Sequence, residues 1–171
     1  MRVIVLTGIC NLLSFTILGQ KTYNTHRVDQ IISIDGELDE QLWSEADIAT
    51  DFTTSRPVFG NISIHKSIVK IVYDDEAIYV AGEMHDPEPD SVNYNLSQRD
   101  DYGNSDWFRI NIDPYGNAIT AYSFGVTSVG VEVDGIEGTD GGPGFGDIDK
   151  TWNDIWRSAA KKTEYGWSFE M

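Results

Sequence analysis

Cysteine is nearly missing from this chain of 171 residues, with Cys10 the single example. That excludes a disulfide framework and a thiolate zinc site. Basic residues are scarce too. Twelve Lys and Arg face 28 Asp and Glu, for a formal charge of −16, and a surface of that sign repels phosphate backbones, so a nucleic-acid groove is not expected. Only His26, His65 and His85 carry imidazole. They show no metal-ligand spacing, and no Gly-x-Ser-x-Gly elbow occurs, so nucleophilic catalysis finds little support. His65, in Ile64–His65–Lys66, reads as a solvated or hydrogen-bonded residue at a strand start. Long helical apolar periods and internal repeats are also lacking. What remains is 12% aromatic residues, 23% charged residues and 16 glycines. This is the composition of one folded domain, able to bury about two-thirds of its unfolded surface.

The first segment reads as an address. Residues 1–19, MRVIVLTGICNLLSFTILG, carry one Arg followed by an uncharged apolar run from Val3 to Leu18. That is the pattern of a secretory signal peptide. A spanning helix is disfavoured because the run is short and diluted by Asn11, Ser14 and Thr16. Cleavage is expected near Gly19–Gln20. Cys10 is not read as a lipid anchor, since Ile9 precedes it and the apolar run continues beyond it. The mature domain, residues 20–171, would then lack cysteine and be more acidic still. An exported protein of the periplasm, outer membrane or cell surface fits.

The rest reads as short strands. Leu42, Trp43 and Ala46 share one face of a short helix within Asp39–Ala46. Val69, Ile71 and Tyr73 alternate with Lys70 and Val72, then Asp74–Asp75–Glu76–Ala77 turns the chain into Ile78, Val80 and Gly82. Phe108, Ile110 and Ile112 alternate with Trp107, Arg109 and Asn111 ahead of a turn at Asp113–Asn117. Tyr122, Phe124 and Val126 continue the pattern, as do Val129, Val131 and Val133. Ile155–Lys161 and Trp167–Met171 make a further pair. Such a series predicts an all-β, antiparallel β-sandwich. The chain ends inside an alternating pattern, so more strands are expected to follow and the sandwich is read as truncated at its C-terminus.

Two long loops, residues 86–106 and 134–154, are candidates for function. The second is rich in Gly and Asp. Asp134, Asp140, Asp147 and Asp149 could supply carboxylates to a structural calcium ion, which takes six to eight oxygens. No EF-hand pattern is present. Asp100, Asp101, Asp106 and Asp113 could in principle form a glycosidase pair, but solvated acids are the better reading in so acidic a chain. The aromatic residues suggest binding instead. If Phe108, Ile110 and Ile112 point inward, Trp107, Arg109 and Asn111 form an outward row, with Tyr102 and Tyr115 beside it. Trp107 and Tyr102 could stack on a sugar ring while Arg109 and Asn111 bond its hydroxyls. Alternatively Trp107 packs beneath a loop. Trp43 and Trp167 read as core, and Trp152 and Trp156 fit either role.

Several of these segments together resemble family 9 carbohydrate-binding modules. Ile34–Asp35–Gly36–Glu37–Leu38–Asp39–Glu40 with Trp43 is similar to the family's opening motif. Tyr73 to Val80 resembles its D-x-x-x-L-Y-V hairpin, Asp86–Pro87 its following D-P, and Asp106 to Pro114 its D-x-x-x-I-x-I-D strand. The match runs in order from about residue 28 to 171. Arg99–Asp100, Ser105–Phe108, Ala121–Phe124, Val131–Gly135, Trp152–Trp156 and Gly166–Trp167 look like a subgroup that precedes a domain thought to be an outer-membrane barrel. The resemblance implies a β-sandwich, calcium, and binding of glucan or xylan chains or their ends. It departs from the sugar-binding pattern at Gly103, where a Trp is usual, at Arg109, where a Glu is usual, and at Gly125, where an Arg is usual. The expectation is a secreted, non-catalytic module that binds polysaccharide or oligosaccharide and serves polysaccharide catabolism within a larger envelope protein. The alternatives are a structural or interaction domain of an outer-membrane barrel protein without sugar binding, and an accessory domain of a glycoside hydrolase acting on O-glycosyl bonds.

Overall fold

Strands form where apolar and polar residues alternate most regularly. The computed structural model describes residues 21–138 and 148–171, so the expected leader, residues 1–19, lies outside the described residues. The short helix is α1, Gln41–Glu45. Among the described residues seven strands follow: β1 Ser67–Tyr73, β2 Ile78–His85, β3 Trp107–Ile112, β4 Ala121–Thr127, β5 Glu132–Glu137, β6 Ala159–Thr163 and β7 Gly166–Glu170. A single 3-10 turn, Pro89–Ser91, interrupts the loop before β3.

The strands make two antiparallel sheets, one ordered β1-β2-β7-β6 and the other β3-β4-β5. They stack face to face. Val69, Val80, Trp167 and Phe169 of the first sheet meet Val126, Phe108, Ile110 and Phe124 of the second. The Phe108 and Phe169 rings stack at 4.4 Å. The other face of the four-stranded sheet is also covered. There Val72 and Ala81 pack under Leu42, Trp43 and Ala46. That sheet is therefore buried on both sides, and the far face of the β3-β4-β5 sheet is covered as well over β4 and β5, where Ser123, Thr127 and Val133 are fully buried, leaving it open only along the edge strand β3.

A buried carboxylate joins the N-terminal segment to the sheet. Glu170, fully buried on β7, accepts hydrogen bonds from the backbone N–H of Asp35 at 3.0 Å, that of Gly36 at 2.9 Å and Trp43 Nε1 at 2.8 Å. This explains the Ile34–Asp35–Gly36 motif physically. Gly36 sits at φ +87°, and a Cβ there would come within 3.1 Å of the Ala160 backbone.

Two strand expectations need correction. The stretch Ile155–Lys161 is not one strand: β6 starts at Ala159, and Ile155 is 99% exposed. Within it Trp156, like Trp152 just before it, packs on the inward side of β4: the Trp152 ring lies 4.9 Å from Tyr122 and that of Trp156 5.5 Å from Phe124. Val129 lies in a turn closed by the Gly130 N–H to Thr127 O bond, so β5 begins three residues later, at Glu132.

Glu170 generates two expectations. Replacing it by Ala strands three buried donors and should lower stability by about 2–3 kcal/mol in urea melts. Burial raises its pKa above the usual glutamate value, against the three N–H donors that lower it. The folded state thus holds this proton more tightly than the unfolded one. The stability linked to it is present below the unfolded pKa and is lost as pH rises through the folded pKa. Urea melts of the Glu170→Gln variant across that range should therefore lose less stability with rising pH than those of the wild type.

Candidate functional site

The pleat of β3 decides what faces outward. With Phe108 and Ile110 in the core, Trp107, Arg109 and Asn111 project from the opposite side. Register places Thr127 beside Trp107, Gly125 beside Arg109 and Ser123 beside Asn111. Across β4, Val133 and Gly135 continue the same face. Trp107 keeps 43% of its surface exposed, so it is not sealed beneath a loop.

Tyr102 lies on this face. Its ring sits 4.5 Å from that of Trp107, tilted by 31°, and rests over Gly125, where a Cβ would come within 2.3 Å of its hydroxyl oxygen. Gly125 is required here for close approach and not for backbone freedom. The two expected stacking residues therefore stack on each other, forming one composite platform instead of two separate faces. The Arg109 guanidinium carbon lies 5.8 Å from the Trp107 ring centroid, and Arg109 also neighbours the Tyr102 hydroxyl. Burial pushes the Tyr102 phenol up, while the Arg109 charge pulls it down. The Asn111 side-chain amide donates to Glu137 Oε2.

The structure thus brings Trp107, Tyr102, Arg109 and Asn111 together. It adds Glu137 from β5 and Lys150, whose Nζ lies 5.9 Å from the Tyr102 ring centroid. Neither addition stood out in sequence, because both are reached across the sheet or from a distant loop. Tyr115 is apart, 71% exposed in the turn between β3 and β4. The row lies along the edge strand, with Trp107 and Asn111 exposed and Arg109 partly buried, and Trp107 also borders a cavity of about 310 Å³ with His85 and Trp167. The larger cleft, about 550 Å³, lies elsewhere, between the sheets and against Met171, with Val80, Ile110 and Phe124 among its walls.

An ionic clasp holds the Tyr102 loop. Asp134 is fully buried on β5. It accepts from Arg99 Nη2 and, at 2.7 Å, from the backbone N–H of Asp154. Arg99 also pairs with Glu132. The backbone N–H of Asp100 donates to Glu132 O at 3.0 Å, and Lys150 Nζ donates to Asp100 O at 2.6 Å. Tyr102 follows three residues after Arg99, so the clasp sets its position.

The same contacts bear on the calcium expectation. Asp134 faces a guanidinium, which repels a cation. Asp149 is spent on the N–H and hydroxyl of Thr151, at 2.9 and 2.6 Å, and these bonds hold its carboxyl below the usual aspartate range. Both carboxylates are thus engaged by donors of the protein itself. Asp140 and Asp147 lie outside the described residues, and among the described residues no group of three or more His, Cys, Asp or Glu could hold a metal ion. The four acids weighed as a glycosidase pair also bond to backbone N–H groups. Asp100 takes that of Asp134, Asp101 that of Gly103, Asp106 that of Asn93, and Asp113 those of Tyr115 and Ala118. His65 and His85 lie 3.2 Å from Asp86 and Glu83, respectively.

No protein-family model matches this chain, and no curated protein matches it. Solved structures do. A family 9 carbohydrate-binding module from Caldicellulosiruptor kristjanssonii in complex with cellotriose is 19% identical, with a TM-score of 0.59 over 87% of this chain and 65% of that one. A family 9 module from the same organism in complex with glucose is 20% identical, with a TM-score of 0.56 over 86% of this chain and 66% of that one. The chain spans just under two-thirds of the length of these neighbours. The likeness is one of fold, and it agrees with the β-sandwich expected from the motifs.

Two variants test the geometry. Gly125→Ala should cost about 1–3 kcal/mol by forcing Tyr102 off its seat, and much less in a Tyr102→Ala background. A double-mutant cycle from urea melts reads that coupling. Arg99→Gln leaves the buried Asp134 short of its counter-charge and should cost about 3 kcal/mol by the same measurement.

Proposed function

We propose that this chain is a non-catalytic carbohydrate-binding module that holds a β-linked glucan chain, or its end, along the outer row of the edge strand β3. The observation that carries this reading is the half-exposed Trp107 in register with Arg109 and Asn111. A sugar ring offers a flat C–H face to the indole, and its hydroxyls find planar guanidinium and amide partners alongside. Glu137 adds an acceptor from β5, on the far side of β4. The accessible edge suits a polymer lying along it. The cellotriose and glucose held by the family 9 neighbours support the substrate class. A secretory leader in residues 1–19 supports an exported module, and the subgroup resemblance supports a larger envelope protein with an outer-membrane barrel, in which the module would serve polysaccharide catabolism.

A second reading is favoured by one feature: Tyr102 already covers part of the Trp107 ring and the Gly125 floor. A module whose platform is filled by its own side chain would act as a structural contact domain without sugar binding.

Calorimetric titration with glucose, cellotriose and xylo-oligosaccharides separates the two. The sugar-binding reading expects heat from at least one oligosaccharide, with Trp107→Ala weakening affinity by about tenfold or more, by analogy with aromatic stacking on bases. Absence of heat and of any tryptophan fluorescence change across the panel would favour the structural reading.

A further inference from the structure

The segment before β1 departs from the rest of the chain in both charge and exposure. From Phe52 to Tyr73 there is no Asp or Glu, although the chain has 28, and the same stretch carries Arg56, Lys66 and Lys70. Residues 52–64 form a finger that returns on itself. Its two arms are joined by Thr54 N–H to Asn61 O at 2.7 Å and Ser63 N–H to Phe52 O at 2.9 Å, and Gly60 N–H closes the tip on Thr54 O at 2.8 Å. The tip reads Arg56–Pro57–Val58–Phe59–Gly60. Five large apolar residues of this finger are solvent-exposed: Phe52 at 41%, Val58 at 56%, Phe59 at 85%, Ile62 at 69% and Ile64 at 80%. A soluble surface scatters such residues singly; a group of five on one protrusion marks a contact.

We propose that this finger is a membrane-docking element that inserts its Val58–Phe59 tip into an anionic lipid surface. Three features point to lipid. The exposed set is mostly branched aliphatic, with Val58, Ile62 and Ile64, and such side chains do not stack on sugar rings. The apolar residues project at the end of a protrusion, the shape that enters the acyl boundary. Arg56 at the tip and Lys66 at the base complement an anionic headgroup layer. The finger itself, Phe52–Ile64, carries no carboxylate; Asp51 and the Asp86 partner of His65 sit at its base, away from the Val58–Phe59 tip, and charge further off is screened beyond about 8–10 Å at physiological salt.

The test is co-sedimentation of the full chain with phosphatidylcholine vesicles, with and without phosphatidylglycerol. It compares the wild type with Val58→Ser/Phe59→Ser and with Arg56→Gln. The apolar run in residues 3–18 is common to all three chains, so only the differences between them are read. The proposal expects the double variant to lower vesicle affinity by about tenfold or more. It expects Arg56→Gln to narrow the preference for anionic over neutral vesicles, and 0.5 M salt to do the same. Equal pelleting of wild type and double variant would overturn it. So would a double variant that alters only self-association in sedimentation velocity, because the finger would then be a protein contact.

Discussion

The stack of Phe108 on Phe169 lies at the centre of the contact between the two sheets, and the orientation of the outer row follows from it. Once Phe108 and Ile110 are committed to the core, the two-residue period of a strand leaves Trp107, Arg109 and Asn111 no choice of side. A slip of one residue in β3 would bury an arginine and an asparagine and expose the phenylalanine, so the apolar core and the polar outer row enforce the same register. The covered far face of the other sheet, under Leu42 and Trp43, makes the β1-β2-β7-β6 layer rigid. In the β3-β4-β5 sheet, where Tyr102, Ile148 and Asp149 close over β4 and β5, the outer row of the edge strand β3 is what stays accessible to a ligand.

Acidic residues do much of the structural work in this fold. Glu170 gathers two backbone N–H groups and an indole N–H in a buried place, and Asp134 gathers a guanidinium and a backbone N–H in another. Each ties a loop to a strand: the N-terminal segment to β7, and the loops around Arg99 and Asp154 to β5. Asp100, Asp101, Asp106 and Asp113 do the same at smaller scale by accepting from nearby backbone donors. An abundance of carboxylates in sequence therefore signals loop anchoring here more than catalysis or metal binding. A loop without regular pairing must find acceptors for its N–H groups somewhere.

The platform shows where reading by alternation stops. Trp107, Arg109 and Asn111 were legible as a row because they sit two apart on one strand. That Tyr102 would lie on Trp107 was not, because four residues of loop separate them and loop geometry follows from the Arg99 clasp. Gly125 was legible only as a departure from a family pattern, and its role appears once Tyr102 is seen above it. Glu137 and Lys150 enter the site from β5 and from the loop after it, and no local spacing links them to β3. Likewise Trp152 and Trp156, undecided in sequence, resolve as packing against Tyr122 and Phe124.

By itself the sequence determined the class of fold, the two core tryptophans Trp43 and Trp167, and the outward direction of the Trp107 row, because alternation and turn residues act locally and the pleat converts them directly into faces. The tertiary structure decided which loops close over that row, which acids are taken up by buried donors, and that Phe59 and its neighbours stand out in solvent. Those outcomes depend on contacts between residues far apart in the chain, 134 positions where Glu170 reaches Gly36 and 35 where Arg99 reaches Asp134. Such contacts exist only after the sheets have stacked.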